Sequence, residues 1–411
     1  MDESKKSQKP EERPETVQPV QGTEKKKKKK KEKKPPSRLR VLLGRVIALV
    51  VTVFLVVGAV YLVANRDKLN VDALRRAISY RASGRTQATV LTYDAAPAGA
   101  VAPLDGGILV CSQTGLQMVA RNGETVIDET VAMTQPVISV TGSYAVAYDA
   151  GGSALYLIHD REITYSYTAE GDQGILAARV SEDGWLTIVE QASGYKAAVT
   201  VYNAAFNPVV TENISSAFIT DAILSPDHQT LAAVAIGEDD TGFYSTVIFY
   251  QVSDGTERSR CGLSNDVVLD LKWEGDTLWV AGEYGVYCIR EEAVAGSSVD
   301  SSRYLRSFSL GGDGFAAMYY SKYQSGSAGS ITLLREDGTE QSIGINDEVL
   351  DVSAAGSYLA VLTSSELTIY KSDLTVYASA SNSWGARRVL MRADGSALLV
   401  TAESASLYLP E

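Results

Sequence analysis

Most of the chain after residue 86 alternates between apolar and polar residues with a period of two. Examples are Thr200-Val201-Tyr202 and Thr368-Ile369-Tyr370, and valine, isoleucine, tyrosine and threonine dominate these stretches. Such alternation is typical of β-strands with one buried face. A glycine or an Asx turn follows about every ten residues, which leaves no room for a helix of ordinary length. The pattern therefore predicts an all-β fold for residues 86–411.

The predicted strands group into eight units, each with a turn at an equivalent position. The turn positions are Gly106, Gly142, Gly184, His228, Gly275, Gly314, Gly356 and Gly395, with separations of 36, 42, 44, 47, 39, 42 and 39 residues. A period of about 40 residues built from short strands is typical of a β-propeller, in which each repeat forms a four-stranded blade. We predict an eight-bladed β-propeller, with a seven-bladed ring as the alternative.

The two ends of this region predict how the ring closes. The last unit offers strands at 388–391, 398–401 and 407–409, one fewer than a complete blade needs. An additional strand, 88–93, precedes the first unit. Pairing that strand as the outer strand of the last blade would protect two open sheet edges, which otherwise promote aggregation.

Ahead of the propeller, residues 41–64 form the apolar run VLLGRVIALVVTVFLVVGAVYLVA. At 1.5 Å per residue a helix of this length crosses a hydrocarbon core of roughly 30 Å. A cleaved signal peptide is the alternative, but its apolar core is typically about 7 to 15 residues long. Lysines upstream favour a cytoplasmic N-terminus. We expect a single-pass protein of the cell membrane with its C-terminal domain outside the cytoplasm.

Charge divides the chain into two unlike parts. Residues 1–45 hold 16 Lys and Arg against 7 Asp and Glu, a net charge of +9, and the remaining 22 basic and 43 acidic residues give −21. Residues 1–40 are poor in large apolar side chains, so we predict a disordered cytoplasmic tail. A run of seven lysines next to a bilayer can attract anionic lipid headgroups; these are Lys25, Lys26, Lys27, Lys28, Lys29, Lys30 and Lys31. We expect no binding to nucleic acid, because no aromatic residues are interspersed with the lysines.

Residues 65–85 predict a short juxtamembrane helix. Val71, Leu74 and Ile78 lie on one face of such a helix, and Asn70 is suited to cap its N-terminus. The helix would serve as a stalk or pack on the propeller, and a partner-binding helix is the alternative.

The sequence contains few candidates for catalysis or metal binding. His159 and His228 lie in or beside turns, without a His, Cys or Glu at metal-ligand spacing. The three cysteines, Cys111, Cys261 and Cys288, predict buried free thiols. The acidic triplet 238–240 lacks the spacing of a calcium loop and predicts a hairpin tip. We therefore assign no catalytic, cofactor-binding or metal-binding residue.

One turn and the overall layout resemble known families. Leu224-Ser225-Pro226-Asp227 resembles the S-P-D-G turn of WD-repeat-like and TolB-like propellers, with His228 in place of the glycine. The basic tail, single span, short helix and eight-fold propeller together resemble uncharacterised bacterial families of membrane-anchored β-propellers. The likeness to the eight-bladed subunit of the outer-membrane β-barrel assembly machinery and to quinoprotein dehydrogenases is limited to blade number. These resemblances imply no catalytic residues.

Two classes of function fit the sequence. The first is a scaffold in the cell envelope that binds a protein, a peptide or a glycan, without enzyme activity or a cofactor. The alternative is a metal-dependent propeller enzyme, such as a lactonase-like hydrolase or lyase, with Asp, Asn or Glu ligands from strands that line the channel.

Overall fold

The computed structural model describes Thr52 and residues 90–93, 99–171, 173–240, 242–263, 265–381 and 385–410. The predicted tail (1–40), membrane span (41–64) and juxtamembrane helix (65–85) lie outside these residues, apart from Thr52. Within the described part of the chain, no helix is long and apolar enough to cross a membrane.

The described residues form eight four-stranded antiparallel sheets, which are the blades of a β-propeller. Seven blades are built from four consecutive strands, and the eighth combines the last three strands with β1, the first of the described strands. The predicted eight-bladed all-β propeller is thus confirmed, and the seven-bladed alternative is wrong. The strands in chain order are β1 (Val90–Thr92); β2 (Ala100–Leu104), β3 (Gly107–Cys111), β4 (Gly115–Val119) and β5 (Thr125–Thr130) in blade 1; β6 (Pro136–Thr141), β7 (Tyr144–Asp149), β8 (Ala154–His159) and β9 (Glu162–Thr168) in blade 2; β10 (Ile175–Val180), β11 (Leu186–Glu190), β12 (Ala197–Tyr202) and β13 (Pro208–Ile214) in blade 3; β14 (Phe218–Leu224), β15 (Thr230–Asp239), β16 (Gly242–Gln251) and β17 (Glu257–Leu263) in blade 4; β18 (Val268–Glu274), β19 (Thr277–Gly282), β20 (Gly285–Arg290) and β21 (Ala293–Val299) in blade 5; β22 (Tyr304–Ser309), β23 (Phe315–Ser321), β24 (Gly329–Arg335) and β25 (Glu340–Ile345) in blade 6; β26 (Val349–Ala355), β27 (Tyr358–Thr363), β28 (Leu367–Lys371) and β29 (Val376–Ala380) in blade 7; and β30 (Arg388–Met391), β31 (Ala397–Val400) and β32 (Ser404–Tyr408) in blade 8.

All eight predicted turn positions lie between the first and second strands of their blades, and all have positive φ angles. The φ angles are 75° at Gly106, 60° at Gly142, 85° at Gly184, 58° at His228, 54° at Gly275, 71° at Gly314, 58° at Gly356 and 81° at Gly395. Glycine adopts this left-handed conformation without a steric penalty, which explains why the repeat is visible in the glycine pattern. His228 adopts the same conformation despite its side chain.

The hydrophobic core consists of separate clusters between neighbouring blades. Even-numbered residues of β15 such as Val234 pack with Val247, Leu271 and Leu278 between blades 4 and 5. Odd-numbered residues such as Ala233 pack against blade 3. Corresponding clusters join every other pair of neighbours, including blade 8 to blade 1. Each sheet is therefore buried on both sides by its neighbours.

Strand β1 closes the ring as predicted. It pairs antiparallel with β32, with Leu91 opposite Ala405. Leu91 is buried in the cluster between blades 8 and 1. The Tyr93 hydroxyl donates to the carbonyl oxygens of Thr401 and Ser404 at 2.9 and 3.2 Å.

The third strand of blade 8 begins earlier than predicted. The predicted bounds were 407–409, and β32 runs from Ser404 to Tyr408. A tight turn sets this start, because the Thr401 amide donates to the Ser404 carbonyl at 2.8 Å. The predicted bounds failed because polar residues in this turn interrupt the apolar alternation.

Candidate functional site

The connections between strands lie on two opposite faces of the ring. In each antiparallel blade, the turns between the first and second strands and between the third and fourth strands lie on one face, which we call the turn face. The connections between the second and third strands, and those from one blade to the next, lie on the opposite face, which we call the loop face. The first strands of successive blades surround the central channel, and side chains of one first strand bind the backbone of the next.

Exposed aromatic side chains are concentrated on the loop face. Among the described residues five aromatic side chains are exposed, and all five lie there: Tyr195, Phe218, Phe243, Tyr304 and Tyr323. Leu269 and Val299 are exposed on the same face, whereas the other exposed large apolar residues are valines on outer strands: Val90, Val209, Val294 and Val376. Clustered exposed aromatic residues are typical of surfaces that bind other molecules.

A long hairpin in blade 4 projects from the loop face. Strands β15 and β16 each have 10 residues and pair without a bulge up to the tip. The neighbouring strands end sooner. Strand β14 pairs with β15 only as far as Ile236, and β17 pairs with β16 only as far as Ser245. Beyond those points Phe243 pairs with Glu238 and is 58% exposed. The predicted hairpin tip, 238–240, is confirmed, and its three carboxylates are exposed.

At the base of this hairpin, the Tyr244 ring on β16 lies against the backbone of Gly237 on β15. A Cβ atom on Gly237 would lie 2.6 Å from the ring of Tyr244, its partner on β16. The tyrosine ring therefore packs directly over the backbone of the other strand. A larger residue at position 237 would displace the Tyr244 ring, which lies next to Phe243 in β16.

Blades 3 and 4 meet on the loop face through a cation–π contact. The Lys196 ammonium lies 4.7 Å from the centre of the Phe218 ring. It also donates to the carbonyl oxygen of Ser216 at 3.3 Å. These contacts orient the Phe218 ring. Since the side chain remains 58% exposed, most of its surface is open to a partner.

Blade 6 presents two of the exposed tyrosines. Tyr323 lies in the connection between β23 and β24, where the Tyr319 hydroxyl donates to the carbonyl oxygen of Gly326 at 2.9 Å. Tyr304 is the first residue of β22 and follows Arg303, which binds Asp300 and the Ser330 hydroxyl. Hydrogen bonds to the framework of the blade therefore position both tyrosines.

Inside the channel, Arg179 connects three blades. Its guanidinium donates to Asp221 on β14 and to Asp270 on β18, the latter at 2.8 Å. Burial opposes the positive charge, but the two carboxylates outweigh this effect and keep the pKa of Arg179 above its ordinary value. A single arginine thus forms ion pairs with two channel carboxylates.

The opposite side of the channel is joined by hydrogen bonds. Ser309 accepts from the Ala354 amide at 2.8 Å, and Asp351 accepts from the Val389 amide at 2.9 Å. Burial raises the pKa of Asp351, although the hydrogen bond from the Val389 amide and the charge of Arg388 favour its ionised form. Across the described residues, no group of three or more His, Cys, Asp or Glu side chains is placed to hold a metal ion.

Both histidines make ring contacts on the turn face. His228 stacks on Trp185 of blade 3 with ring centres 4.2 Å apart, and its Nε2 lies 3.1 Å from Asp183. His159 stacks on Tyr144, and both residues belong to blade 2; their ring centres are 3.8 Å apart. The histidines are therefore packed in or beside turns, and His228 connects two blades.

The cysteines are free and buried, as predicted: Cys111, Cys261 and Cys288. A shallow depression of about 480 Å³ on the turn face is lined by Asp105, Asp160 and Arg161. Its lining has one arginine and two aspartates, and it contains no exposed aromatic residue. The loop face is therefore the stronger candidate for a binding surface.

The sequence led to no assigned site residues, although one feature of the channel has a recognisable signal. Arg179 and Asp221 are isolated charges within the apolar first strands of blades 3 and 4, and Asp270 is the first charge in the first strand of blade 5. This pattern suggests charge pairing across the channel. The loop-face aromatics have no comparable signal, because exposure at a strand end depends on the height of the neighbouring blades.

Two solved structures are similar to this chain. The computationally designed Ika8 protein is 9% identical, covers 77% of this chain and 98% of its own, and has a TM-score of 0.56. BamB from Moraxella catarrhalis is 14% identical, covers 79% of this chain and 97% of its own, and has a TM-score of 0.49. At these identities the similarity concerns the fold alone.

Curated proteins include no sequence that matches this chain. The profile of DUF5711, described as a family of unknown function, matches residues 80–379. Since this match covers most of the 411 residues, the chain belongs to the DUF5711 family.

Proposed function

We propose that this protein is a binding module whose propeller captures a protein partner on its loop face. The observation that supports this proposal is the placement of all five exposed aromatic side chains of the described residues on that face. Tyrosine and other aromatic residues supply much of the binding energy in protein interfaces, because they bury a large area at a low cost in side-chain entropy.

The charge of the propeller favours a protein over an anionic polymer as the partner. Residues 86–411 contain 16 Lys and Arg and 41 Asp and Glu, a net charge of −25. Such a charge repels anionic glycans and anionic lipid surfaces, and it attracts cationic segments. An envelope protein is therefore the proposed partner class.

The proposed location is the outer side of the cell membrane. Support comes from the sequence, in which the apolar run 41–64 follows the lysines at 25–31. In this arrangement the tail lies in the cytoplasm, where its lysines can contact anionic lipid headgroups.

We propose a binding role without catalysis because the channel carboxylates already have protein partners. Asp221 and Asp270 bind Arg179, and Asp351 accepts backbone amide hydrogens. A hydrolase or lyase that used these carboxylates as metal ligands would have to break these contacts first.

Photo-crosslinking in native membranes tests the proposal. A photoreactive phenylalanine analogue would replace Tyr195 or Tyr323 on the loop face, and Val209 or Val376 on outer strands as matched controls. We expect a crosslinked product of defined mass from the loop-face positions only, and we expect Phe243→Ser to abolish it. Equal crosslinking from both sets of positions, or none from the loop face, would contradict the proposal.

A further inference from the structure

We infer that the loop face binds a cationic, extended polypeptide segment of another protein, and that this segment lies across blade 5. The inference rests on the proposed binding function and specifies its partner. Three observations carry it: the unequal heights of blades 4, 5 and 6, the apolar residues above blade 5, and the excess of carboxylates beside them.

The loop face is lower at blade 5 than on either side. In blade 5, β19 has 6 residues, and the connection to β20 contains only Glu283 and Tyr284. In blade 4, β15 has 10 residues, so the hairpin has four more residues per strand, on the order of 13 Å of extended chain. Blade 6 adds the seven-residue connection 322–328 beyond β23. Blade 5 is therefore bordered by two higher walls.

The blade 4 hairpin directs Phe243 toward this low region. Val234 and Val247 are directly opposite each other and pack against Leu271 of blade 5. Phe243 and Glu238 are also opposite each other, four residues further along the same two bulge-free strands. Since side chains repeat with a period of two along a strand, Phe243 projects to the blade 5 side.

Apolar side chains continue from this wall across blade 5 to blade 6. Leu269 of blade 5 is 56% exposed, and Tyr304 and Tyr323 of blade 6 are each about half exposed. These three residues and Phe243 form what we call the blade 5 surface. An extended chain places alternate side chains on one side, so a segment lying here can direct every second residue onto the blade 5 surface.

The charges beside the blade 5 surface are mostly negative. Glu238, Asp239 and Asp240 are exposed at the hairpin tip, and Glu283 is exposed in the short connection of blade 5. On the opposite wall Lys322 lies 5.5 Å from the Tyr323 ring, and Arg303 pairs with Asp300. Carboxylates that flank apolar residues are complementary to a segment that alternates apolar and basic side chains.

The net charge of the propeller argues against two other occupants. A second copy of a propeller with a net charge of −25 would be repelled at the same carboxylates. An uncharged glycan could stack on the tyrosines, but it would gain nothing from the carboxylates of the hairpin tip. A cationic polypeptide uses both features.

The test measures fluorescence anisotropy of labelled peptides with the full-length protein in detergent. The probe is a short peptide that alternates leucine and lysine, and its controls replace lysine by glutamate or leucine by serine. We expect only the leucine–lysine peptide to bind, and we expect higher salt to weaken that binding by about tenfold.

Two pairs of variants locate the site. Glu238→Lys with Asp240→Lys should weaken binding by about tenfold, because charge pairs at an interface rim depend on both partners. The matched control, Glu129→Lys with Glu340→Lys, changes the net charge equally on outer strands and should leave binding unchanged. In the second pair, Phe243→Ser should abolish peptide binding, and its control Val376→Ser should leave binding unchanged.

The possible outcomes separate this inference from the proposed function. If both charge-reversed proteins lose binding equally, attraction to the net charge explains it, and the inference is wrong. If membrane crosslinking depends on Phe243 but not on Glu238 and Asp240, the loop face binds a partner that is not cationic. If the photoreactive loop-face variants give no crosslinked product and the wild-type protein binds no peptide, both proposals are wrong.

Discussion

At the residue scale, Arg179 has the contacts from which we expect the largest single effect on stability. It forms ion pairs with Asp221 and Asp270 from two neighbouring blades. We expect Arg179→Met to lower the free energy of unfolding by about 3 kcal/mol, because removal of one partner leaves buried charge uncompensated. The partial exposure of Asp270 keeps the expected loss at this level. Thermal or urea unfolding of the full-length protein in detergent measures the change.

Two further variants make this prediction specific to the channel. Adding Asp221→Asn to Arg179→Met should recover part of the lost stability, because one uncompensated carboxylate is removed. Arg260→Met breaks an exposed ion pair with Glu257 and should change stability by no more than about 1 kcal/mol. If Arg179→Met and Arg260→Met unfold at the same temperature, the channel ion pairs do not stabilise the ring.

At the element scale, β1 determines whether the ring is closed. Its three residues have different roles: Leu91 is 3% exposed in the cluster between blades 8 and 1, and Val90 is 54% exposed. We expect Leu91→Ala to destabilise the protein by about 2 to 4 kcal/mol, because it leaves a cavity at the closure. The matched change Val90→Ala should have almost no effect. A Leu91→Ala protein that melts with the wild type would show that β1 does not fasten the ring.

The same elements show what can be predicted from the sequence. Blade number, turn positions and closure were predicted because glycine marks a left-handed turn in seven of eight blades and strand alternation persists between the turns. His228 occupies the remaining turn, in blade 4. There, stacking on Trp185 and the contact with Asp183 offset the strain of a positive φ angle. Those partners belong to the preceding blade. Sequence patterns within one repeat do not show contacts between repeats, and this also explains why Arg179 was missed.

The loop-face aromatics escaped prediction for a related reason. Phe243 continues the alternation of β16, and the same alternation buries Val247 against blade 5. Only the difference in length between β15 and the shorter β19 leaves Phe243 above the core. Exposure is therefore a property of two neighbouring blades together.

At the scale of the whole molecule, the buried cysteines allow a direct test of the proposed topology. Burial raises the pKa of Cys111 to about 12 and that of Cys288 to about 11, so both thiols are largely protonated at neutral pH. Cys261 is buried as well. Since maleimides react with accessible thiolates, the wild-type protein should remain unlabelled in its folded state.

Introduced cysteines can then report the side of the membrane on which each part lies. Val376 is 61% exposed on an outer strand, and Ser7 belongs to the predicted cytoplasmic tail. With a membrane-impermeant maleimide, we expect Val376→Cys to be labelled wherever the outer surface of the membrane is accessible, and Ser7→Cys only after permeabilisation. This follows from the apolar run at 41–64 and the lysines that precede it. Labelling of Ser7→Cys before permeabilisation, or of Val376→Cys only after it, would reverse the topology and with it the proposed access of the loop face to envelope partners.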